Sequence, residues 1–561
     1  MMGEMTRRLS EAAEKMMKGE LKATLPFDPL AIAQAGSDFA LGLAARPADL
    51  LEVQITAAQQ WGDFWTKALS GQVSEAPRDR RFAASQWQDD AYFRAIRDSY
   101  LLASNQLREL VSVGEDGGDS SRATVRFLLD QYLNAVAPTN FAHTNPEVLK
   151  RTKETNGANL VQGFANLIED LASGKGLVQR RADPKAFEKG KTIAATPGQV
   201  VFQNDLFQLI QYDPATDKVA AEPLLYVPPL VNRYYMIDLV PRQSLVKWLV
   251  EEGRTVFVIS WVNPTEKHRD KGVGDYVLDG IVEAVGQVRQ RTGQAPDLFS
   301  FCLGGTLAAI ALAWLAAKGR ANEVNSATLI GSQIDFADMR DWSAFVHEGH
   351  LAALEDHLEA QGYIDSIELQ RLFAAMRAND LIWSSVVNHY LLDKPAPPSD
   401  LLYWFEDGAR IPAAFLKSYN RELLLENKLK DPAGFKVGGV AIDLAVIPTP
   451  MLVIALKDDH VSVWQAVYSG ARDLNADFIL GGSGHNAGVI NPPATNKHGF
   501  WTNDGLLETA EEWLATATRH EGSWWPTWTQ WLAGNGSGKP VDARAIVDAI
   551  EPAPGSYAKM P

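Results

Sequence analysis

The sequence predicts an α/β protein: a parallel sheet covered on both faces by helices, preceded by a mainly helical N-terminal domain. Three observations predict it. From about residue 196, short β-type runs alternate with helical stretches. Before residue 198, strand-like runs are scarce and apolar residues recur at helical spacing. At residues 300–305, "SFCLGG", a strand-like run passes into a helix-like one through the only cysteine of a 561-residue chain.

The N-terminal domain is expected to span 1–195. "DPLAIAQAGSDFALGLAAR", "DLLEVQITAAQQWGDFWTKALSG" and "QDDAYFRAIRDSYLLASNQLRELVS" each carry an apolar face at helical spacing. "SRATVRFLLDQYLNAVAP" continues the series, with its leading serine at an N-cap position. The second domain is expected to span 196–561. "QVVFQNDLFQLIQYDP" reads as a hairpin and "PLLYVPPLV" as a strand running into a Pro-rich loop. "SLVKWLVEEG" is a helix stopped at Gly253, and "TVFVISWV" a strand. "YVLDGIVEAVGQVRQRTG" is a helix closed by Gly293. "PDLFSF", the helix "LGGTLAAIALAWLAAKG" and the strand "SATLIGSQID" follow. A helical, aromatic-rich insertion at about 337–411 comes next, then the strands in "TPMLVIALKDD" and "ADFILGGSGHN". An insertion after the sixth strand of such a sheet is expected over the strand C-terminal ends, where ligands bind in α/β folds.

Composition excludes several function classes. The net charge of −16 argues against nucleic acid, which needs a cationic footprint. One cysteine excludes an internal disulfide framework and fits a reducing compartment. The N-terminus, "MMGEMTRRLSEAAEKMMKGE", lacks the apolar core of a signal peptide. No uncharged apolar stretch reaches the ~18 residues of a membrane span. The expectation is a soluble, cytoplasmic protein.

The turn at Cys302 matches a nucleophile elbow, a sharp strand-to-helix turn that lifts a reactive side chain above a sheet. Small residues flank it because the turn is strained and another backbone passes close by. Here Ser300, Gly304 and Gly305 surround Cys302. A helix N-terminus favours a thiolate, and the Leu303 N–H would point at a developing oxyanion. A lone cysteine is more often a buried structural residue; the strand–turn–helix setting makes that the weaker reading. In the α/β-hydrolase fold the chain order is nucleophile, acid, histidine. Asp458 and Asp459 both end a strand-like run and compete for the acid, while the other is expected to cap a helix. His485 follows in "GGSGHNAG". His460 reads equally as a supporting residue or a surface histidine.

Other patterns carry no chemistry. "HEGH" at 347–350 misses the zinc-binding H-E-x-x-H spacing and reads as a solvated helix face. "GNGSGKP" misses the phosphate-loop spacing, and "GGSGHNAG" is followed by no helix. No metal or cofactor is expected.

Taken together, "YVPPLVNRYYMIDL", "ISWVNP", "SFCLGGT", "DFADMRDWSAFVHEGH", "RANDLIW", "LLYWFED", "DDHVSVW", "SGHNAGVINPP" and "GSWWPTWTQWL" resemble the class I polyhydroxyalkanoate synthases, over essentially all of 196–561 and more loosely before it. The resemblance implies polymerisation of short-chain hydroxyacyl-CoA thioesters into polyester with release of CoA. It puts the catalytic cysteine on Cys302, the acid on Asp459 and the histidine on His485. In such folds a second oxyanion donor comes from the loop after an early strand, here the N–H of Val231. It implies a homodimer in the cytoplasm, associated with polyester granules and their proteins, with the N-terminal domain serving partner, dimer or granule contacts. Ser300 stands where the family usually has glycine.

Two other readings share the fold: a thioesterase or esterase with water as acceptor, and a non-catalytic granule-coating protein. Four tryptophans in "WWPTWTQW" read first as core packing and second as an apolar surface for polymer. Trp383 and Tyr390 are expected in a lid over Cys302, and Trp404 at its hinge or a dimer contact.

Overall fold

The computed structural model describes residues 29–72, 74–113, 120–172 and 182–561. The N-terminal stretch read for a leader lies outside them. The chain divides into two compact units. One comprises residues up to 184 with 343–350 and 371–398; the other comprises 185–342, 351–370 and 399–561. The insertion is therefore shared between the units.

The larger unit is built on one eleven-stranded sheet. Its strands are Gly198–Gln203 (β1), Phe207–Tyr212 (β2), Leu224–Val227 (β3), Val256–Trp261 (β4), Asp297–Phe301 (β5), Ser326–Ile330 (β6), Met451–Leu456 (β7), Asp477–Gly481 (β8), Phe500–Thr502 (β9), Thr518–His520 (β10) and Glu551–Pro552 (β11). They lie in the order β10-β9-β8-β7-β6-β5-β3-β4-β2-β1-β11. The six central strands, β4 to β8 across β3, β5, β6 and β7, are parallel. The flanking strands pair antiparallel. The sheet is thus mixed rather than parallel throughout. The difference lies at its edges, where a hairpin (β1, β2) and short C-terminal strands complete the ladder.

The central strands are short apolar runs, and β3, β4, β5 and β7 are buried along their whole length, as expected of parallel strands covered on both faces. The helix Leu303–Ala317 is also apolar nearly all round and buried. Ser244 caps the helix Leu245–Glu251 by accepting from the Lys247 N–H. The helix ending at Thr292 closes on Gly293 in the left-handed conformation that glycine adopts freely. The stretch Tyr276–Val282 before it is wound as a π-helix rather than an α-helix.

The smaller unit is helical: Pro29–Ala44, Pro47–Ser70, Ala91–Ser112, Ser120–Ala135, Pro146–Glu154 and Ala158–Ala172. Asp90 and Asn145 cap two of these helices through their side-chain oxygens. Ser121 sits inside its helix rather than at the cap, and its hydroxyl donates to Asp38. Arg97 is fully buried, donating to the Trp87 carbonyl, Ser74, Gln88 and Asp98. Parts of the insertion complete this unit. Phe345 meets Phe127 edge-on, and the Tyr390 hydroxyl donates to Asp170 at 2.7 Å. Tyr390 is therefore committed to this unit's own interior. His350 of "HEGH" is buried, with its ring 4.1 Å from that of His347, while Glu348 and Gly349 are exposed, so only part of this stretch is a solvated face. No helix among the described residues is long and apolar enough to cross a membrane.

Candidate active site

β5 ends at Phe301, and the chain turns through Cys302 into the helix Leu303–Ala317. Cys302 has φ 52° and ψ −130°, a conformation that side-chain-bearing residues rarely adopt. The turn is held from both sides: the Cys302 N–H donates to the Ile330 carbonyl of β6, and its own carbonyl accepts from Gly305. Glycine is required at 304, where a Cβ would collide with the Val227 carbonyl oxygen and with Pro228 at 2.8 Å. At 305 a Cβ would run into Ser332. Ser300 is buried in β5, and its hydroxyl donates to the Thr328 carbonyl at 3.1 Å. The serine is therefore accommodated within the sheet by a backbone partner.

Asp459 follows β7 and His485 lies in the loop after β8, so adjacent parallel strands deliver both to the rim that carries Cys302. Nδ1 of His485 lies 2.6 Å from Oδ2 of Asp459. Oδ1 of Asp459 accepts from the N–H groups of Val461 and Ser462, at 2.8 and 2.9 Å. Asp459 is buried while Asp458 is exposed, which distinguishes the two carboxylates. Neither caps the next helix, Trp464–Asp473, whose N-cap is Val463. His460 is half-buried beside them.

The electrostatics centre on His485. Burial alone would push its imidazolium down. The Asp459 carboxylate and then the Cys302 sulfur outweigh this, and its pKa is raised to about 10. The ring lies 4.6 Å from that of Phe301. Leu303 is the first residue of its helix, so its N–H has no acceptor within that helix. Val231 lies in the loop that leaves β3, the strand packed beneath Gly304. The structure thus brings Cys302, Asp459 and His485 together, with Leu303 adjacent and Val231 on the neighbouring loop.

Several residues here had no sequence signal. The Tyr226 hydroxyl is buried with no hydrogen-bond partner among the described residues. Burial, and secondarily Cys302, pushes its pKa up. Tyr419 is affected in the same way and in the same order. The tryptophans of "WWPTWTQW" also reach the site. Trp524 and Trp525 are fully buried and donate from Nε1 to the carbonyls of Gly488 and Val489, just beyond His485. Trp528 donates to Thr328, and the half-buried Trp531 to Asp477. Core packing is their role, and it fixes the histidine loop. Among the described residues, no group of three or more His, Cys, Asp or Glu is placed to hold a metal.

A doubly covered central sheet, a strained strand-to-helix turn and a buried Asp–His pair define a protein of the α/β-hydrolase class. Residues 230–492 match the family described as "alpha/beta hydrolase fold", and residues 78–249 the one described as "Poly-beta-hydroxybutyrate polymerase (PhaC) N-terminus". A "Poly(3-hydroxyalkanoate) polymerase" of Methylorubrum extorquens is 40% identical over 531 residues, covering 92% of this chain and 87% of that one. "Poly(3-hydroxyalkanoate) polymerase subunit PhaC" of Cupriavidus necator is 40% identical over 538 residues, covering 93% and 90%. "Poly(3-hydroxyalkanoate) polymerase 2" of Ectopseudomonas oleovorans is 38% identical, covering 86% of each chain. The chain belongs to the poly(3-hydroxyalkanoate) polymerase family.

Proposed function

We propose that this chain, an acyltransferase that polymerises hydroxyalkanoate into polyester, works through a thioester on Cys302 with short-chain (R)-3-hydroxyacyl-CoA as substrate. His485 takes the Cys302 proton on Nε2, the nitrogen left when Asp459 engages Nδ1. The sulfur attacks the thioester carbonyl, whose oxygen is received by the N–H groups of Leu303 and Val231. The C–S bond to CoA breaks, and the CoA sulfur leaves with the proton from His485. A 3-hydroxyl group then attacks the acyl-enzyme, passing its proton to His485 and returning the thiol. Alternating repetition of acylation and this transfer builds the polyester.

Cysteine suits this cycle, because passing an acyl group between thiols is close to thermoneutral and the thioester remains a ready donor. Asp459 orients His485 or helps activate the hydroxyl. No cofactor is needed. The enzyme acts as a homodimer in the cytoplasm, on the surface of polyester granules and among their associated proteins. The observation that carries the reading is the 2.6 Å Asp459–His485 contact beside the strained Cys302 turn.

The test incubates the purified protein with 3-hydroxybutyryl-CoA while following thiol release and product. Wild type should release CoA and form polymer. Iodoacetamide should inactivate it, and Cys302→Ala should release none. Turnover by the alanine variant would remove Cys302 from the mechanism, and free 3-hydroxybutyrate without polymer would mark a thioesterase. The four-carbon thioester should be used best, the five-carbon well and the eight-carbon poorly. A pocket fitted to long tails would gain ~0.8 kcal/mol per buried methylene; preference for the eight-carbon substrate would overturn the short-chain assignment.

A further inference from the structure

Beside the loop that carries Val231 lies a cluster of charges that the chemistry above does not use: Arg233 is buried, and Asp407 and Lys189 are half-buried. Asp407 stands just after the helix Asp400–Glu406. Its Oδ2 accepts from the Tyr235 hydroxyl at 2.6 Å and from Lys189 Nζ at 2.7 Å. Its Oδ1 lies 3.9 Å from Nε of Arg233, whose side chain is 4% exposed. That Nε has no hydrogen-bond partner among the described residues, so Asp407 reaches it through charge alone. Burial pushes the Arg233 guanidinium down, and Asp407 opposes it. The rest of the guanidinium donates to the carbonyls of Tyr557 and Met560, and Lys189 to that of Ala558.

The backbone around this cluster is stapled to the same segment. Ala409 N–H donates to the Val231 carbonyl at 3.2 Å. Asn232 bridges Gly408 antiparallel, and Trp404 Nε1 donates to the Arg233 carbonyl at 2.7 Å. Residues 231–233 are thus gripped on their main chain by 404–409 and on a side chain by Asp407.

We propose that Asp407 is a positioning residue: through Arg233, Lys189 and Tyr235 it fixes the loop that aims the Val231 N–H at the thioester oxygen. This rests on the oxyanion role given to Val231 above. Without the carboxylate, buried Arg233 loses the anion beside it, and removing the partner of a buried charge is strongly destabilising. The loop then shifts, and misplacement by an ångström costs about 10²-fold in rate. Alkylation of Cys302 needs the sulfur and His485 but develops no oxyanion, so it is insensitive to the loop.

Asp407→Asn in the full-length chain is therefore measured by two rates: CoA release from 3-hydroxybutyryl-CoA and inactivation by iodoacetamide. CoA release should fall about 10²-fold in kcat, with little change in KM and an unchanged alkylation rate. Asp407→Glu, which keeps the charge, should recover part of the loss. Equal loss of both rates, or full CoA release by the asparagine variant, would overturn the proposal. Val231→Pro, which deletes the N–H itself, separates the two claims. If it releases CoA normally, the oxyanion reading falls; if it is impaired while Asp407→Asn is not, only the positioning role falls.

Discussion

The imidazole of His485 is strongly tuned by its neighbours, and its charge ties acid–base chemistry to stability. Its folded-state pKa is raised to about 10, above the ordinary ~6.5. The charged form therefore contributes stability that is fully present below pH ~6.5 and is lost as pH rises through about 10. The thermal midpoint of wild type should exceed that of His485→Gln most at pH 6, with the gap narrowing towards pH 10. A gap that widens with pH would mean the ring is held neutral. Asp459 is the first of the groups that raise this pKa. Asp459→Asn should thus move the His485 titration downward, as read by imidazole NMR, and impair elongation. Asp458→Asn should leave the titration in place, because that carboxylate is exposed. A shift in the Asp458 variant would show that the wrong carboxylate had been assigned.

At the scale of elements, the elbow depends on how closely the helix Leu303–Ala317 approaches β3. Gly304→Ala drives a methyl group into the Val227 carbonyl, an overpacking that costs about 1–3 kcal/mol. Gly286→Ala, inside the helix Glu283–Thr292 with nothing within 4 Å of the added carbon, should instead stabilise by about 0.5–1 kcal/mol. Urea unfolding of the two variants checks the contrast; equal effects would show that the elbow is not closely packed. The elements that matter most were legible because parallel strands are continuous apolar runs, as in "VFVISW" and "MLVIAL". The edge strands "FWT" and "TRH" were not. Three residues show no periodicity, and only pairing across the sheet, Phe500 against Gly481 for instance, makes them strands. The site follows the same rule. Cys302 and His485 stand out in local motifs, whereas the choice between Asp458 and Asp459 depends on which way the chain turns after β7. Tyr419 and Asp407 come into play through folding alone, and no spacing in the sequence announces them.

For the whole molecule, the division into two compact units separates the proposed chemistry from the proposed partner surface. Cys302, Asp459, His485 and Val231 all belong to the larger unit. In the smaller one, the helix Pro47–Ser70 buries none of its residues. It leaves Leu51 56%, Ile55 50%, Trp65 57% and Leu69 85% exposed, an apolar display of the kind that marks interaction surfaces. Removing it therefore forfeits little core. The cut must fall early, because Phe82 and Trp87 are buried and Ser74 and the Trp87 carbonyl both accept from buried Arg97. A deletion of about ninety residues would take these with it and damage the unit's interior. Deletion of residues 1–72 keeps them, and forfeits besides Pro47–Ser70 the helix Pro29–Ala44, whose Ile32 packs on the Phe127–Ala344 cluster and whose Asp38 accepts from Ser121. The shortened enzyme should retain the wild-type rate of Cys302 alkylation while a larger share of it fractionates away from polyester granules. Two measurements on one preparation decide the matter: the alkylation rate, and the partition between granule pellet and supernatant. Unchanged partition would remove the granule role from this helix, and a lost alkylation rate would show that the site depends on residues 1–72.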